Sequence, residues 1–187
     1  MNIILASRSK RREKLLKKAG FKFKKIIPRE PNHFAAGLSA KKESMRMAQF
    51  KSVWAALKNP QSVVISADTL IECGKKKIGK PKNIKEARKF LKMFSKKNFI
   101  IYSSVCITRL GQKQKQICWT DKIPIRCKEI EKKEIESYIK SKKWRGKAGG
   151  FNILERPASK WFCADKKYLN TIAGLNTNRI KKEIKKF

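Results

Sequence analysis

The chain has 187 residues, 41% apolar and 34% charged, enough for one domain with a sizeable core. Its 49 Lys and Arg against 14 Asp and Glu give a net charge of +35, which first suggests nucleic acid or an anionic surface as partner. The basic residues are evenly spread, however: 14, 13 and 13 in successive blocks of 50 and 9 in the last 37, with 38 Lys to 11 Arg. Dedicated phosphate and base readers rely on the planar fork of arginine. The excess therefore reads as a solvated lysine surface with weak polyanion binding at low salt, not as a specific nucleic-acid interface. The five cysteines, Cys73, Cys106, Cys118, Cys127 and Cys163, form no C-x-x-C pair, which excludes a zinc ribbon or a thioredoxin-like site. The short apolar run at residues 3–6 precedes the basic residues, unlike a secretory leader, and no stretch has the length of a membrane span. Free thiols, a cytoplasmic location and no membrane association are expected.

Residues 2–6 predict a short buried strand, and residues 10–19 a helix with Leu15, Leu16 and Ala19 on one face and Ser9 as N-cap. Residues 21–27 alternate like a strand, 28–38 form a Pro- and Gly-containing loop, and 39–57 predict a long helix. A second buried strand spans 62–67, followed by a hairpin over 70–78 turning at residues 73–75. Residues 84–94 form an amphipathic helix through Ala87, Phe90, Leu91 and Phe94. Two long strands, 99–110 and 116–126, flank a polar turn. A short helix covers 132–140, a glycine loop 144–150, and a terminal helix 176–186. Alternating strands and helices with hairpins indicate an α/β fold with a mixed sheet.

Four segments have residues suited to chemistry. In Leu5-Ala6-Ser7-Arg8-Ser9-Lys10-Arg11-Arg12-Glu13 a strand ends, hydroxyls follow, and a helix begins with cations in its first turn. Free amides and the dipole there favour an anion, and arginines bind phosphate oxygens in pairs; the plainer reading is a basic surface helix. In Ser66-Ala67-Asp68-Thr69 an apolar strand is expected to end in a carboxylate and a hydroxyl. That carboxylate would hold a divalent metal or orient a water, or else cap a turn. In Ile78-Gly79-Lys80-Pro81 a tight loop presents a lysine, either as a point charge for phosphate or as an ordinary polar turn. The paired glycines of Lys147-Ala148-Gly149-Gly150-Phe151 permit close backbone approach to a ligand, or simply make a loop. The sole histidine, His33, has nothing beside it to build a Ser–His hydrolase. Trp54, Trp119, Trp144 and Trp161 read as core or loop anchors, with Trp144 the one placed near a candidate nucleobase.

In order, these segments resemble the Maf family of nucleotide pyrophosphatases over nearly the whole chain. The family opening L-A-S-x-S-P-R-R-x-x-L-L stands as Leu5 to Leu16 with Lys10 in place of the proline. A-x-x-K-A corresponds to Ala48-Gln49-Phe50-Lys51-Ser52, G-A-D-T to Ser66-Ala67-Asp68-Thr69, and L-G-K-P to Ile78-Gly79-Lys80-Pro81. E-E-I-x-x-Y-I resembles Lys133 to Ile139, K-A-G-A-Y-G-I-Q-G resembles Lys147 to Glu155, and the late G-L-P resembles Gly174-Leu175-Asn176.

The resemblance implies one Maf-like domain over residues 1–187, with a Maf or inosine-triphosphatase-like mixed sheet flanked by helices and two lobes around a cleft. It implies a hydrolase acting on acid anhydrides, a house-cleaning enzyme that splits nucleoside triphosphates into monophosphate and pyrophosphate. Asp68 would accept the proton of the attacking water. Ser7, Arg11, Arg12, Lys51, Thr69, Lys80 and Lys147 would bind substrate, with Mg2+ or Mn2+ at Asp68 and Glu30 neutralising phosphate charge. Arg11 and Thr69 match the branch that prefers dTTP and UTP. The third specificity position, a glutamine in the family, is Leu154, which lacks the amide's hydrogen bonds; the adjacent Glu155 would replace it if the loop shifted by one residue. Glu30 alone represents the acidic cluster usual after the second strand. A homodimer is compatible with the resemblance. The alternative reading is a catalytically weakened binding protein of the same fold that contacts polyanions or a division or stress partner.

Overall fold

The computed structural model describes residues 1–29, 37–112 and 114–187. In chain order the elements are β1 (Ile3–Ala6), α1 (Lys10–Lys18), β2 (Lys24–Ile26), α2 (Ala40–Leu57), β3 (Val63–Cys73), β4 (Lys76–Ile78), α3 (Ile84–Phe94) and β5 (Asn98–Arg109). There follow β6 (Lys115–Cys127), α4 (Lys132–Lys140), α5 (Ala158–Trp161), β7 (Phe162–Cys163), α6 (Leu169–Ile172) and α7 (Thr177–Ile184). The strands form a seven-stranded sheet in the order β2-β1-β3-β5-β6-β7, with β4 paired to β3. β1 runs parallel to both β2 and β3, whereas β4 and β7 are antiparallel to their neighbours. The expected mixed α/β fold is present.

Helix starts follow the side chains that cap them. Ser9, Ser39, Asn83 and Asn176 accept the backbone N–H of Arg12, Lys42, Glu86 and Arg179, satisfying amides that a helix cannot pair internally. Glu131 and Glu134 close a capping box on α4.

The expected strand over 62–67 is corrected. β3 does not stop before Asp68 but continues to Cys73. Beyond Asp68 and Thr69 its residues regain apolar character, and Ile71, Glu72 and Cys73 pair with β4 through a turn at Gly74. Asp68 is therefore fixed inside a strand, not carried on a turn.

The chain divides into two units. The first comprises residues 1–68, 103–121 and 170–187; the second comprises 69–102 and 122–169. In the first unit strand alternation sends two sets of side chains to opposite faces. Leu5, Val63, Ile65, Ala67, Val105, Ile107 and Trp119 meet Leu16 of α1 and Ile180 and Ile184 of α7. Ile4, Ala6 and Val64 meet Ala55 and Ala56 of α2. Helices thus cover both faces there.

The second unit is centred on aromatic rings. Phe94, Phe99, Phe151 and Phe162 lie with centroids 4.0–6.2 Å apart, and Trp161 meets Tyr138 edge-on. Arg88 of α3 donates through Nε and Nη2 to both carboxylate oxygens of Glu136 on α4, at 2.7 and 2.8 Å. Trp161 donates to Glu134.

Trp119, Trp144 and Trp161 are buried, as anchors should be. The expectation of free thiols holds for Cys73, Cys127 and Cys163. It is corrected for Cys106 and Cys118, which are disulfide-bonded across β5 and β6 with Cα atoms 4.2 Å apart. No described helix is long and apolar enough to cross a membrane.

Candidate active site

In the first unit α1 begins directly after β1, so Ser7 and Ser9 occupy the turn between them. Ser7 is buried, and its Oγ accepts the Ser9 backbone N–H at 3.2 Å. Arg12 Nη1 donates to the Ala67 carbonyl at 2.7 Å and to Ser7 Oγ at 3.4 Å, while its Nε donates to the Gly174 carbonyl at 3.4 Å. Arg12 thus ties the N-terminal turn to the residue before Asp68 and to the segment entering α7.

Gly174 stands at φ +124°, in the region that disfavours side chains. A Cβ there would lie 3.4 Å from Arg11 Nε and 3.5 Å from Arg12 Cγ. The glycine therefore gives both arginines room, which is the physical reason for a glycine in this late segment.

Asp68 projects from β3 toward α2 and accepts a 2.6 Å hydrogen bond from Lys51 Nζ at Oδ1. The Lys51 side chain is only 4% exposed and that of Asp68 17%. A lysine so buried needs a charge partner, and Asp68 supplies it. Ser7, Arg12, Lys51 and Asp68 are therefore linked through a few bonds in one unit, with Arg11 beside Gly174.

The other expected site residues lie in the second unit. Thr69 follows Asp68 on β3 and is half-buried. Lys80 is exposed on the loop after β4. The Gly149 amide donates to the Gly79 carbonyl at 2.8 Å, so the loops carrying Lys147 and Lys80 are side by side. The contact requires glycine: at φ +65°, a Cβ on Gly149 would come within 2.6 Å of Ile71 Cδ1 and 2.8 Å of the Phe151 ring.

Lys147 Nζ donates to Glu155 Oε2 at 2.6 Å, and Asn152 Nδ2 donates to Glu155 Oε1 at 2.5 Å. Glu155 is thus held by two side chains. Its charge adds to burial in pushing the Tyr138 hydroxyl up to about 12, burial being the larger cause. Leu154 is 46% exposed, and its amide donates to Asn152 Oδ1 at 3.3 Å. Trp144, placed by the sequence near a nucleobase, is 4% exposed and so offers little free ring face.

Glu30 and His33 lie outside the described residues. Among the described residues no group of three or more His, Cys, Asp and Glu is placed to hold a metal. Among the described residues Asp68 belongs to no group of three or more such side chains. That suits Mg2+ or Mn2+ shared with substrate phosphates, since Mg2+ commonly takes one or two protein carboxylates and completes its shell from phosphate and water. It does not suit an all-protein metal cage.

Two features escaped the sequence. Gly174 is recognisable as the glycine of a late motif, but its contact with Arg11 and Arg12 spans about the whole chain. The hydroxyls around α2, described below, meet partners that are distant in sequence.

A family model described as Maf-like protein matches residues 2–187. A dTTP/UTP pyrophosphatase of Wolbachia sp. subsp. Brugia malayi is 33% identical over 153 residues, covering 81% of this chain and 77% of that protein. A dTTP/UTP pyrophosphatase of Bacillus cereus is 31% identical over 185 residues, covering 99% and 95%. The solved structure of a HAM1 protein from Coxiella burnetii aligns with a TM-score of 0.57 at 12% identity, covering the whole of both chains; that likeness concerns the fold.

Proposed function

The chain belongs to the Maf family of nucleotide pyrophosphatases, and we propose that its two units act as one domain that hydrolyses dTTP and UTP to the monophosphate and pyrophosphate. The observation that carries this reading is the buried 2.6 Å contact between Lys51 and Asp68. It sits one residue from the Ala67 carbonyl that Arg12 holds. On this reading Asp68 is the water-activating carboxylate, and the cations beside it are phosphate ligands.

Asp68 accepts the proton of the attacking water, and the hydrogen bond from Lys51 holds the carboxylate in place for it. Ser7 and the start of α1 receive phosphate oxygens through hydroxyl, amide and dipole. Arg11 contributes charge-assisted bonds, and Arg12 orients the turn through Ala67 and Gly174 as well as contributing charge. Lys80 and Lys147 add point charges on adjacent loops. Arg11 and Thr69 fit the pyrimidine preference of the named relatives. A divalent cation, Mg2+ or Mn2+, would be held by Asp68 and Glu30 together with the phosphates, and when bound it neutralises charge on the transferring group. The protein acts in the cytoplasm, as a monomer or a homodimer, without a specific nucleic-acid partner.

The test is pyrophosphate release from a panel of nucleoside triphosphates with Mg2+ or Mn2+. Release from dTTP or UTP that disappears in Asp68→Asn is expected. No release from any nucleotide by the folded wild-type protein would overturn the reading.

A further inference from the structure

The inner face of α2 is polar where an apolar face is expected. Ser44, Ala48, Lys51 and Ser52 are all 0–3% exposed, and the two serines and the Ala48 carbonyl each meet a hydroxyl of the sheet. Ser44 Oγ lies 2.8 Å from Ser104 Oγ. Ser66 Oγ donates to the Ala48 carbonyl at 2.6 Å. Thr108 Oγ1 donates to Ser52 Oγ at 2.9 Å. These contacts recur every four residues, about one per helical turn, and Lys51 lies between the second and third. The hydroxyls are themselves anchored: Thr120 Oγ1 is 2.8 Å from Ser104 Oγ, and Gln116 Nε2 donates to Thr108 Oγ1 at 3.0 Å.

This arrangement fixes something that apolar packing alone does not. Hydrophobic contact is non-directional, and beside Glu43, Met47 and Lys51 the residues that α2 buries are all Ala or Ser, whose small side chains do little to lock its position along its axis. Hydrogen bonds between buried groups have a narrow range of distance and angle, so they set that position. Ser66 and Asp68 are two residues apart on β3 and point to the same face. Ala48 and Lys51 are three apart on α2 and also share a face. Strand and helix are therefore joined by two rungs, Ser66 to Ala48 and Asp68 to Lys51. The first rung sets the register in which the second can form.

We propose that Ser66 is a positioning residue: its hydroxyl holds α2 at the height where Lys51 Nζ meets Asp68. The kinetic consequence rests on the pyrophosphatase reading given above; the geometric consequence does not.

The experiment compares Ser66→Ala and Ser66→Thr, each alone and combined with Lys51→Met. With dTTP, kcat of Ser66→Ala falls about tenfold, as expected for a small misplacement of a reacting group, and Ser66→Thr recovers most of the loss because the hydroxyl remains. In the Lys51→Met background, Ser66→Ala costs no further activity, because the two residues act as a unit. An equal loss in both backgrounds, or a fall in melting temperature with kcat unchanged, overturns the proposal. A crystal structure of Ser66→Ala gives a readout that needs no substrate: Lys51 Nζ lies beyond about 3.5 Å, outside hydrogen-bond reach, from both Asp68 oxygens. Retention of the wild-type contact in that structure also overturns the proposal. Displacement of Lys51 in a protein whose wild type releases no pyrophosphate removes the proposed function and leaves the positioning role standing.

Discussion

Lys51 Nζ and Asp68 Oδ1 are 2.6 Å apart, with both side chains largely withdrawn from water. Removing one partner of such a pair leaves an uncompensated charge, which commonly costs about 3 kcal/mol or more. Lys51→Met is expected to lower stability by about that amount and to lower kcat about a hundredfold, leaving a measurable residual rate. Asp68→Asn keeps an oxygen for Lys51 to bond but cannot take a proton from water. Its activity falls by about a hundredfold or more with a smaller loss of stability. Denaturant melts and pyrophosphate release on the two variants check this contrast; equal stability losses would contradict it.

Gly174→Ala places a methyl group at φ +124°, 3.4 Å from Arg11 Nε. Strain of about 1–3 kcal/mol is expected from the backbone alone. Because the crowded atoms belong to Arg11 and Arg12, KM for dTTP rises about tenfold, roughly 1.4 kcal/mol in binding. Steady-state kinetics at fixed ionic strength measures this, and an unchanged KM separates Gly174 from the phosphate site.

Leu154→Gln supplies the amide found at this position in the family. Leu154 is already 46% exposed, so stability changes by less than about 0.5 kcal/mol. One added hydrogen bond to the base is worth about 1 kcal/mol, so kcat/KM for dTTP relative to GTP should rise about fivefold. A ratio that does not move places base recognition elsewhere.

Asp121 gives a pH prediction. Burial holds its carboxyl above the usual carboxylate range, opposed by the charge of Arg179 at 3.5 Å and by the neighbouring indole N–H of Trp119. An acid raised on folding favours the folded state while it is protonated, and this contribution fades as pH rises through its folded value. Asp121→Asn should therefore melt higher than wild type at pH 7. The advantage should shrink as pH falls toward about 4, the ordinary carboxylate range, where both side chains are neutral. Melting curves across that window test the sign; a variant less stable at neutral pH would show that the Arg179 pair outweighs burial.

The longer helices were legible because their signals are local, whereas the one-turn helices α5 and α6 lie where short extended pieces were expected. Ser9, Ser39 and Asn83 mark the starts of α1, α2 and α3, and the Ala87, Leu91 and Phe94 spacing sets the buried face of α3. The length of β3 was not legible. Asp68 and Thr69 interrupt its apolar run, and nothing local says that pairing with β4 carries the strand on to Cys73. The ordered motifs marked Lys51 and Asp68 as candidate site residues, but not that they touch. That contact depends on laying α2 across β3, and the serines and threonine that fix it are separated by 18 to 60 residues. Buried hydroxyls on a helix face are a recognisable oddity in a sequence; their partners are not.

The glycine beneath Arg11 and Arg12 belongs to the last segment of the first unit, residues 170–187. Leu175, Ile180 and Ile184 just beyond it complete the core that also contains Leu5 and Leu16. Leu5 and Leu16 therefore wait for partners that are made far later in the chain. A growing polypeptide on the ribosome already has its serines and arginines, but it lacks the carbonyl that orients Arg12 and the apolar plug that seats α1. Competence to handle a triphosphate is expected only once residues 170–187 have been made, so molecules cut short before them are expected to be inert rather than partly active.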